Sequence, residues 1–202
     1  MSEYFSVIKQ HATDIDGVTP IKARHTNTDL SHAKLILREL PLCGQFNLRL
    51  NPANTEQMKI AADLIGGPLP TKPLTSAQYG DVRVIWTAPD DWLIIMPWSA
   101  ACYFESQYRA AQTGHYSIVD ISAGQTLIEL IGPESRNVLK KAAPIDVHPQ
   151  AFPIGKCVGT VFAKSAAGIV RTGDDSYLLV VRRSFADYIW DWLADASAEY
   201  RA

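Results

Sequence analysis

Trp86-Thr-Ala-Pro-Asp-Asp-Trp92-Leu-Ile-Ile-Met96 is the stretch on which the fold turns. Val82-Arg-Val-Ile-Trp86 runs up to a Pro-Asp-Asp turn, and Trp92-Leu-Ile-Ile-Met96 leaves it, which is the signature of a β-hairpin. The same grammar returns near the end of the chain. Ile169-Val-Arg-Thr172 leads into Gly173-Asp-Asp-Ser176, and Tyr177-Leu-Leu-Val-Val181 follows. Each turn hands over to an apolar strand led by an aromatic residue.

Working outward, the flanks repeat as well. Ahead of the first hairpin, Gln45-Phe-Asn-Leu-Arg-Leu50 alternates apolar and polar residues as a strand does. Asn51-Pro52 breaks it, and Asn54 is placed to cap a helix that runs to Ile65, with Met58, Ala61, Ala62 and Ile65 inward. Gly66-Gly67 ends that helix. Ser99 is placed to cap a second helix with Ala100, Tyr103, Phe104, Tyr108 and Ala111 as its stripe, and Gly114 stops it. Residues 115–121 then form a strand.

The second pass has the same order. Thr126-Leu-Ile-Glu-Leu-Ile131 is a strand, Gly132-Pro133 breaks it, and residues 134–143 form a helix. A Pro-rich loop follows, then strands at 157–164 and 169–172. The Asp-Asp turn, the Tyr177 strand and a helix capped by Ser184 close the pass. This internal repeat predicts an α+β fold of two ferredoxin-like (split βαβ) halves, residues 45–121 and 124–198, each a sheet with helices on one face. Residues 34–202 form one domain on this reading. Residues 1–33 are polar and aperiodic and read as an extended N-terminal arm that needs the body or a partner to order it.

The 202 residues carry a net charge of -2, with 47% hydrophobic and 20% charged residues. That composition belongs to an ordinary globule, and the balanced charge supplies no long-range pull on nucleic acid or on an anionic membrane. No apolar run approaches the roughly 20 residues of a membrane span, and residues 1–20 contain no apolar signal core. Cys43, Cys102 and Cys157 are scattered, which predicts reduced thiols in a cytoplasmic protein rather than a disulfide framework or a zinc site.

No phosphate loop, dinucleotide GxGxxG or GxSxG elbow is present. His11, His25, His32, His115 and His148 have no metal spacing. Asp120, at the end of a strand, reads as a turn-forming carboxylate rather than a base. Arg49 and Arg171 close strands and discriminate nothing by themselves. No catalytic, cofactor-binding or metal-binding residue is assigned. On the last helix, Phe185, Tyr188, Ile189, Trp192, Leu193 and Ala196 are the expected core stripe. Trp190 falls outside it, so it is either covered by the N-terminal arm or reserved for a partner, and it is the candidate interface residue.

Several of these segments resemble the sarcosine oxidase gamma family. Glu39-Leu-Pro-Leu-Cys-Gly44-Gln-Phe-Asn-Leu-Arg49 is similar to that family's opening. Trp86-Thr-Ala-Pro-Asp-Asp-Trp92-Leu is similar to its Trp–Gly-Pro-Asp-Glu-Trp-Leu hairpin, with Ala88 where Gly is usual. Val119-Asp120-Ile-Ser122 and Leu130-Ile-Gly-Pro133 match further elements. Asp146-Val-His148-Pro-Gln-Ala-Phe152-Pro-Ile-Gly155-Lys-Cys157 is the most distinctive run, and 181–193 closes the resemblance, which spans about 34–198.

The resemblance implies a subunit of a four-subunit oxidoreductase that demethylates sarcosine to glycine, releasing hydrogen peroxide and, with tetrahydrofolate, methylenetetrahydrofolate. It implies that NAD and the folate region lie in the large alpha subunit, FAD in another, covalent FMN near their interface and zinc in the smallest. It implies no cofactor in this chain, whose partners are the other subunits, chiefly the large one. It also implies a fold similar to the folate-binding part of aminomethyltransferase. A stand-alone folate-binding one-carbon-transfer protein is the alternative. Gly155-Lys-Cys-Val-Gly159 departs from the Lys-Gly-Cys-Tyr-x-Gly-Gln-Glu segment of small folate binders, and reads as the start of a strand with a buried Cys.

Overall fold

The computed structural model describes residues 17–22 and 34–200. The chain makes two passes through one order of elements. The first is β1 (Ile36–Glu39), β2 (Cys43–Leu50), α1 (Thr55–Ile65), β3 (Ser76–Tyr79), β4 (Val82–Ala88), β5 (Asp91–Pro97) and α2 (Trp98–Ala111). The second is β6 (Tyr116–Asp120), β7 (Gln125–Ile131), α3 (Ser135–Lys140), β8 (Cys157–Phe162), β9 (Ser165–Gly173), β10 (Ser176–Arg182) and α4 (Ala186–Ala196).

The passes fold into two five-stranded antiparallel sheets, ordered β3-β4-β5-β2-β6 and β8-β9-β10-β7-β1. Each is a ferredoxin-like sheet with one added edge strand. β6 pairs with β2, placing Asn47 opposite Val119, and completes the first sheet. β1 opens the first pass but pairs with β7, placing Leu37 opposite Leu130. The strands β2 to β6 thus follow the half expected at 45–121, and β7 to β10 the half expected at 124–198. The second sheet also takes residues 36–39, a strand the sequence reading did not place although Leu35 and Leu37 alternate inward around Ile36.

Burial explains the two long apolar runs. Trp92, Ile94 and Met96 face the helix side of the first sheet with Ala61, Ile65, Phe104 and Tyr108. Leu93 and Ile95 face the opposite way, where they meet Leu127, Cys157, Val170, Leu178 and Val180 of the other sheet. Tyr177, Leu179 and Val181 face Val138, Leu139, Ile189 and Leu193 on the helix side of the second sheet. The layers are therefore helix, sheet, sheet, helix. A strand covered on both faces cannot alternate with polar residues, so β5 from Trp92 to Met96 and β10 from Tyr177 to Val181 are apolar at every position. Each large side chain so buried contributes roughly 1.5–3 kcal/mol.

Local signals hold at some boundaries and fail at others. The Asn54 side chain accepts a hydrogen bond from the Gln57 amide at 3.1 Å, and Gly66 ends α1 in the left-handed region at φ 92°. Ser99 and Ser184 do not cap: neither α2 nor α4 has a side-chain cap bond. The stripes of these helices are also rotated from expectation. In α2 the buried positions are Ala101, Phe104, Glu105 and Tyr108, while Tyr103 is 60% exposed. In α4 they are Ala186, Ile189, Trp190, Leu193 and Ala196, while Phe185 and Tyr188 are exposed. In α4 a 3-10 turn at Arg183–Phe185 leaves Phe185 outside the α-helix, and the face laid on the sheet holds Ile189, Trp190 and Leu193.

Most of the expected arm at 1–33 lies outside the described residues. Within residues 17–22, Ile21 is fully buried in the second core. Its amide donates to Glu39 Oε2 at 3.3 Å, and Arg183 Nη2 donates to the Val18 carbonyl at 3.1 Å.

Candidate functional site

The polar residues singled out in the sequence separate in space. Asp120 ends β6, and its Oδ1 accepts from the Ser122 amide at 2.9 Å and from the Ser122 hydroxyl at 2.5 Å. Ser122 Oγ in turn accepts from the Gln45 amide at 2.9 Å. This locks the β6–β7 turn onto β2, which is the turn role expected of Asp120. Arg49 is exposed and pairs with Asp90 at 2.9 Å and Asp91 at 3.6 Å, bracing the first Asp-Asp turn.

Arg171 is different, because it is only 4% exposed. Its guanidinium donates to the carbonyls of Phe152 at 3.0 Å, Gly173 at 3.1 Å and Asp174 at 2.8 Å. It therefore ties the Pro-rich loop to the second Asp-Asp turn. A buried cation is tolerated where several acceptors replace its water. Nothing in the sequence marks this residue apart from Arg49, because the acceptors are backbone atoms from a distant loop.

The Gly155–Gly159 segment joins the two sheets. The Gly155 carbonyl accepts from the Ser76 amide at 2.7 Å and from the Ser76 hydroxyl at 2.9 Å, and Thr75 bridges Lys156. Lys156 Nζ donates to the Ala151 carbonyl at 2.6 Å. Cys157 starts β8 and is buried, and its thiol donates to the Trp86 carbonyl at 3.5 Å. Burial pushes that thiol up from 9.0 to about 11, so it stays protonated at neutral pH and is a poor nucleophile.

His115 and His148 are exposed; His148 Nδ1 accepts from the Gln150 amide at 3.3 Å. His11, His25 and His32 lie outside the described residues. Among the described residues no group of three His, Cys, Asp or Glu converges as a metal set. Among them, too, no helix is long and apolar enough to cross a membrane.

Trp190, the candidate interface residue, requires correction. It is 2% exposed and packs in the second core with Ile189, Leu193 and Leu139. Positions 186, 189, 190, 193 and 196 share the inward face of α4, so Trp190 is a core residue of the folded chain and offers no open surface. Trp192, assigned to the core stripe, is only half-buried; its ring meets Phe162 edge-on at 5.1 Å.

The seam between the sheets carries polar groups as well as apolar ones. Gln45 Nε2 donates to the Gln125 carbonyl at 3.1 Å, joining β2 to β7. The side-chain oxygens of Gln45 and Gln125 are buried with no hydrogen-bond partner. The sequence reading missed both glutamines, since each looked like a polar residue at a strand end.

Residues 51–199 match the sarcosine oxidase, gamma subunit family. A curated sarcosine oxidase subunit gamma from Arthrobacter sp is 31% identical over 168 residues, covering 82% of this chain and 81% of that protein. The subunit of the same name from Corynebacterium sp. (strain U-96) is 32% identical over 169 residues, covering 82% and 80%. A solved chain of the heterotetrameric sarcosine oxidase from Corynebacterium sp. U-96, in complex with pyrrole 2-carboxylate, superposes with a TM-score of 0.83 at 26% identity. That match covers 92% of this chain and 97% of the other. The glycine cleavage system aminomethyltransferase T from Bartonella henselae superposes with a TM-score of 0.56 at 14% identity, over 81% of this chain and 46% of that protein. At that identity it shares the fold alone.

Proposed function

The chain belongs to the sarcosine oxidase gamma subunit family, and on that premise we propose that it is the gamma subunit of a heterotetrameric sarcosine oxidase. The complex is an oxidoreductase that demethylates sarcosine, and this chain's partners are its other subunits, chiefly the largest. The carrying observation is the superposition, with a TM-score of 0.83, over 97% of a chain from such a complex.

Its role is structural, with no catalytic residue of its own. In support, the buried charged groups bind the chain to itself: Arg171 holds three carbonyls, and Glu105 pairs with Arg109 at 2.7 Å. The cofactors, FAD, FMN, NAD, zinc and the tetrahydrofolate acceptor, belong on other subunits. Oxidising an N-methyl amine generates a reactive one-carbon species that must be kept from bulk water until it is captured. A rigid body packed outside the reacting centres holds their geometry without touching substrate. The layered packing of helices on both outer faces of the two sheets suits that task. The three cysteines are unpaired, which supports a reducing cytoplasmic setting.

The test is capture of the tagged full-length chain from native extract, followed by assays of the captured assembly and of the chain alone. Three further chains and sarcosine-dependent peroxide release are expected from the assembly. The chain alone is expected to be colourless and silent. Stoichiometric flavin, peroxide release by the chain alone, or saturable tetrahydrofolate turnover without partners would overturn the assignment.

A further inference from the structure

The seam between the sheets is not closed along its whole length. A cavity of about 580 Å³ opens between Ile85 and Leu93 of the first sheet and the inner face of β8, β9 and β10 in the second. Its origin is legible in the strands. On the rows that face inward, Gly159, Ala166 and Gly168 stand where larger side chains would meet the opposite sheet. A Cβ added at Gly159 would touch nothing within 4 Å. The volume lies within the roughly 300–1,000 Å³ typical of small-molecule sites.

Three features set this hollow apart from a packing defect. Its walls are mainly apolar, and Arg182 is the one charged residue among those described that line it. Arg182 enters no salt bridge among the described residues. Directly opposite it in the ladder stands Gln125, whose side-chain oxygen is buried without a partner. An unsatisfied acceptor of that kind costs roughly 1–3 kcal/mol unless something donates to it. At the lip, Leu74 is held in the left-handed region at φ 60° while remaining 42% exposed. Strain in a non-glycine residue concentrates at clamps and binding sites. Its carbonyl is pinned by the Cys157 amide at 2.9 Å. The protonated Cys157 thiol on the wall offers no covalent chemistry.

The geometry points to a binding site for a small anionic amphiphile. Its apolar body lies between the sheets against Ile85, Leu93 and Val180, its anionic end meets Arg182, and an N–H or O–H on it donates to Gln125. The inference uses this chain's own walls and is independent of the assembly proposed above.

The test is fluorescence titration of the full chain with 8-anilinonaphthalene-1-sulfonate and with its uncharged relative N-phenyl-1-naphthylamine. Both are expected to bind one saturable site. Arg182→Ala should weaken the sulfonate about ten-fold, the size of one lost charge-assisted contact, and leave the neutral probe unchanged. Gly159→Leu and Ala166→Leu should each intrude on the hollow and weaken both, with melting temperatures followed in parallel. If one of the two fails to fold, the other decides. Absence of saturable binding to the parent chain would overturn the site. So would undiminished binding in a folded filling variant. Equal sulfonate affinity in Arg182→Ala would overturn the anionic assignment.

Discussion

Trp92 and Tyr177 hold the same place in the two halves. Each is the second residue of its strand, each is fully buried, and each faces the helix side of its sheet. Leu48 of β2 stands opposite Trp92, and Leu130 of β7 stands opposite Tyr177. The equivalence of β5 and β10 expected from the repeated Asp-Asp turns is met in register as well as in order. Trp92 adds one bond, from its indole N–H to the Pro70 carbonyl at 2.7 Å.

Truncating either residue opens a cavity in one helix-facing core. Trp92→Ala and Tyr177→Ala are each expected to cost about 3–5 kcal/mol, the usual range for a buried aromatic. Trp92→Phe keeps part of the packing and leaves the Pro70 carbonyl unpartnered, so a smaller loss is expected. Urea unfolding of the three variants measures this ordering, and a Trp92→Ala cost below that of Trp92→Phe would contradict it.

Trp190→Ala is expected to act on folding. With its ring buried in the second core, truncation should lower the stability of the isolated chain by about 3–5 kcal/mol. Any loss of assembly should then follow the loss of folded protein. An unchanged melting temperature with weaker assembly would return Trp190 to the surface.

Arg171→Met keeps the side chain's length and removes its donors. The carbonyls of Phe152, Gly173 and Asp174 then lose their shared partner. Leaving such acceptors unsatisfied should cost about 3 kcal/mol in total, allowing for water reaching the turn. Arg49→Met, at an exposed ion pair, should cost less than about 1 kcal/mol. Thermal melts of the two variants side by side give the comparison, and equal losses would refute it.

Alkaline pH should weaken the fold through its buried thiols. Burial raises Cys43 and Cys157 from 9.0 to about 11. The unfolded chain releases these protons first, so their contribution is intact below pH 9 and is lost as pH rises from there through about 11. Cys157→Ala should flatten the decline in melting temperature between pH 9 and 11, measured against the parent chain. An equally steep decline in the variant would remove Cys157 from the account.

Residue type and order alone determined the repeat, the hairpins at the two Asp-Asp turns, the Asn54 cap and the resemblance to the gamma family. These are local or serial features: a turn needs Pro and Asp where the chain bends, and a doubly covered strand needs apolar residues at every position. The tertiary structure decided which surfaces meet. Period-two alternation says that Leu37 is buried, but not that β1 belongs to the second sheet. Helical periodicity leaves open which flank of an apolar stripe docks, and packing against the second sheet turned Trp190 inward and Tyr188 outward. The partners of Arg171 and the place of Gln125 beside the inter-sheet hollow depend on backbone atoms and missing side chains far away in sequence. Such distances arise only when both sheets have packed, and no pattern along one strand encodes them.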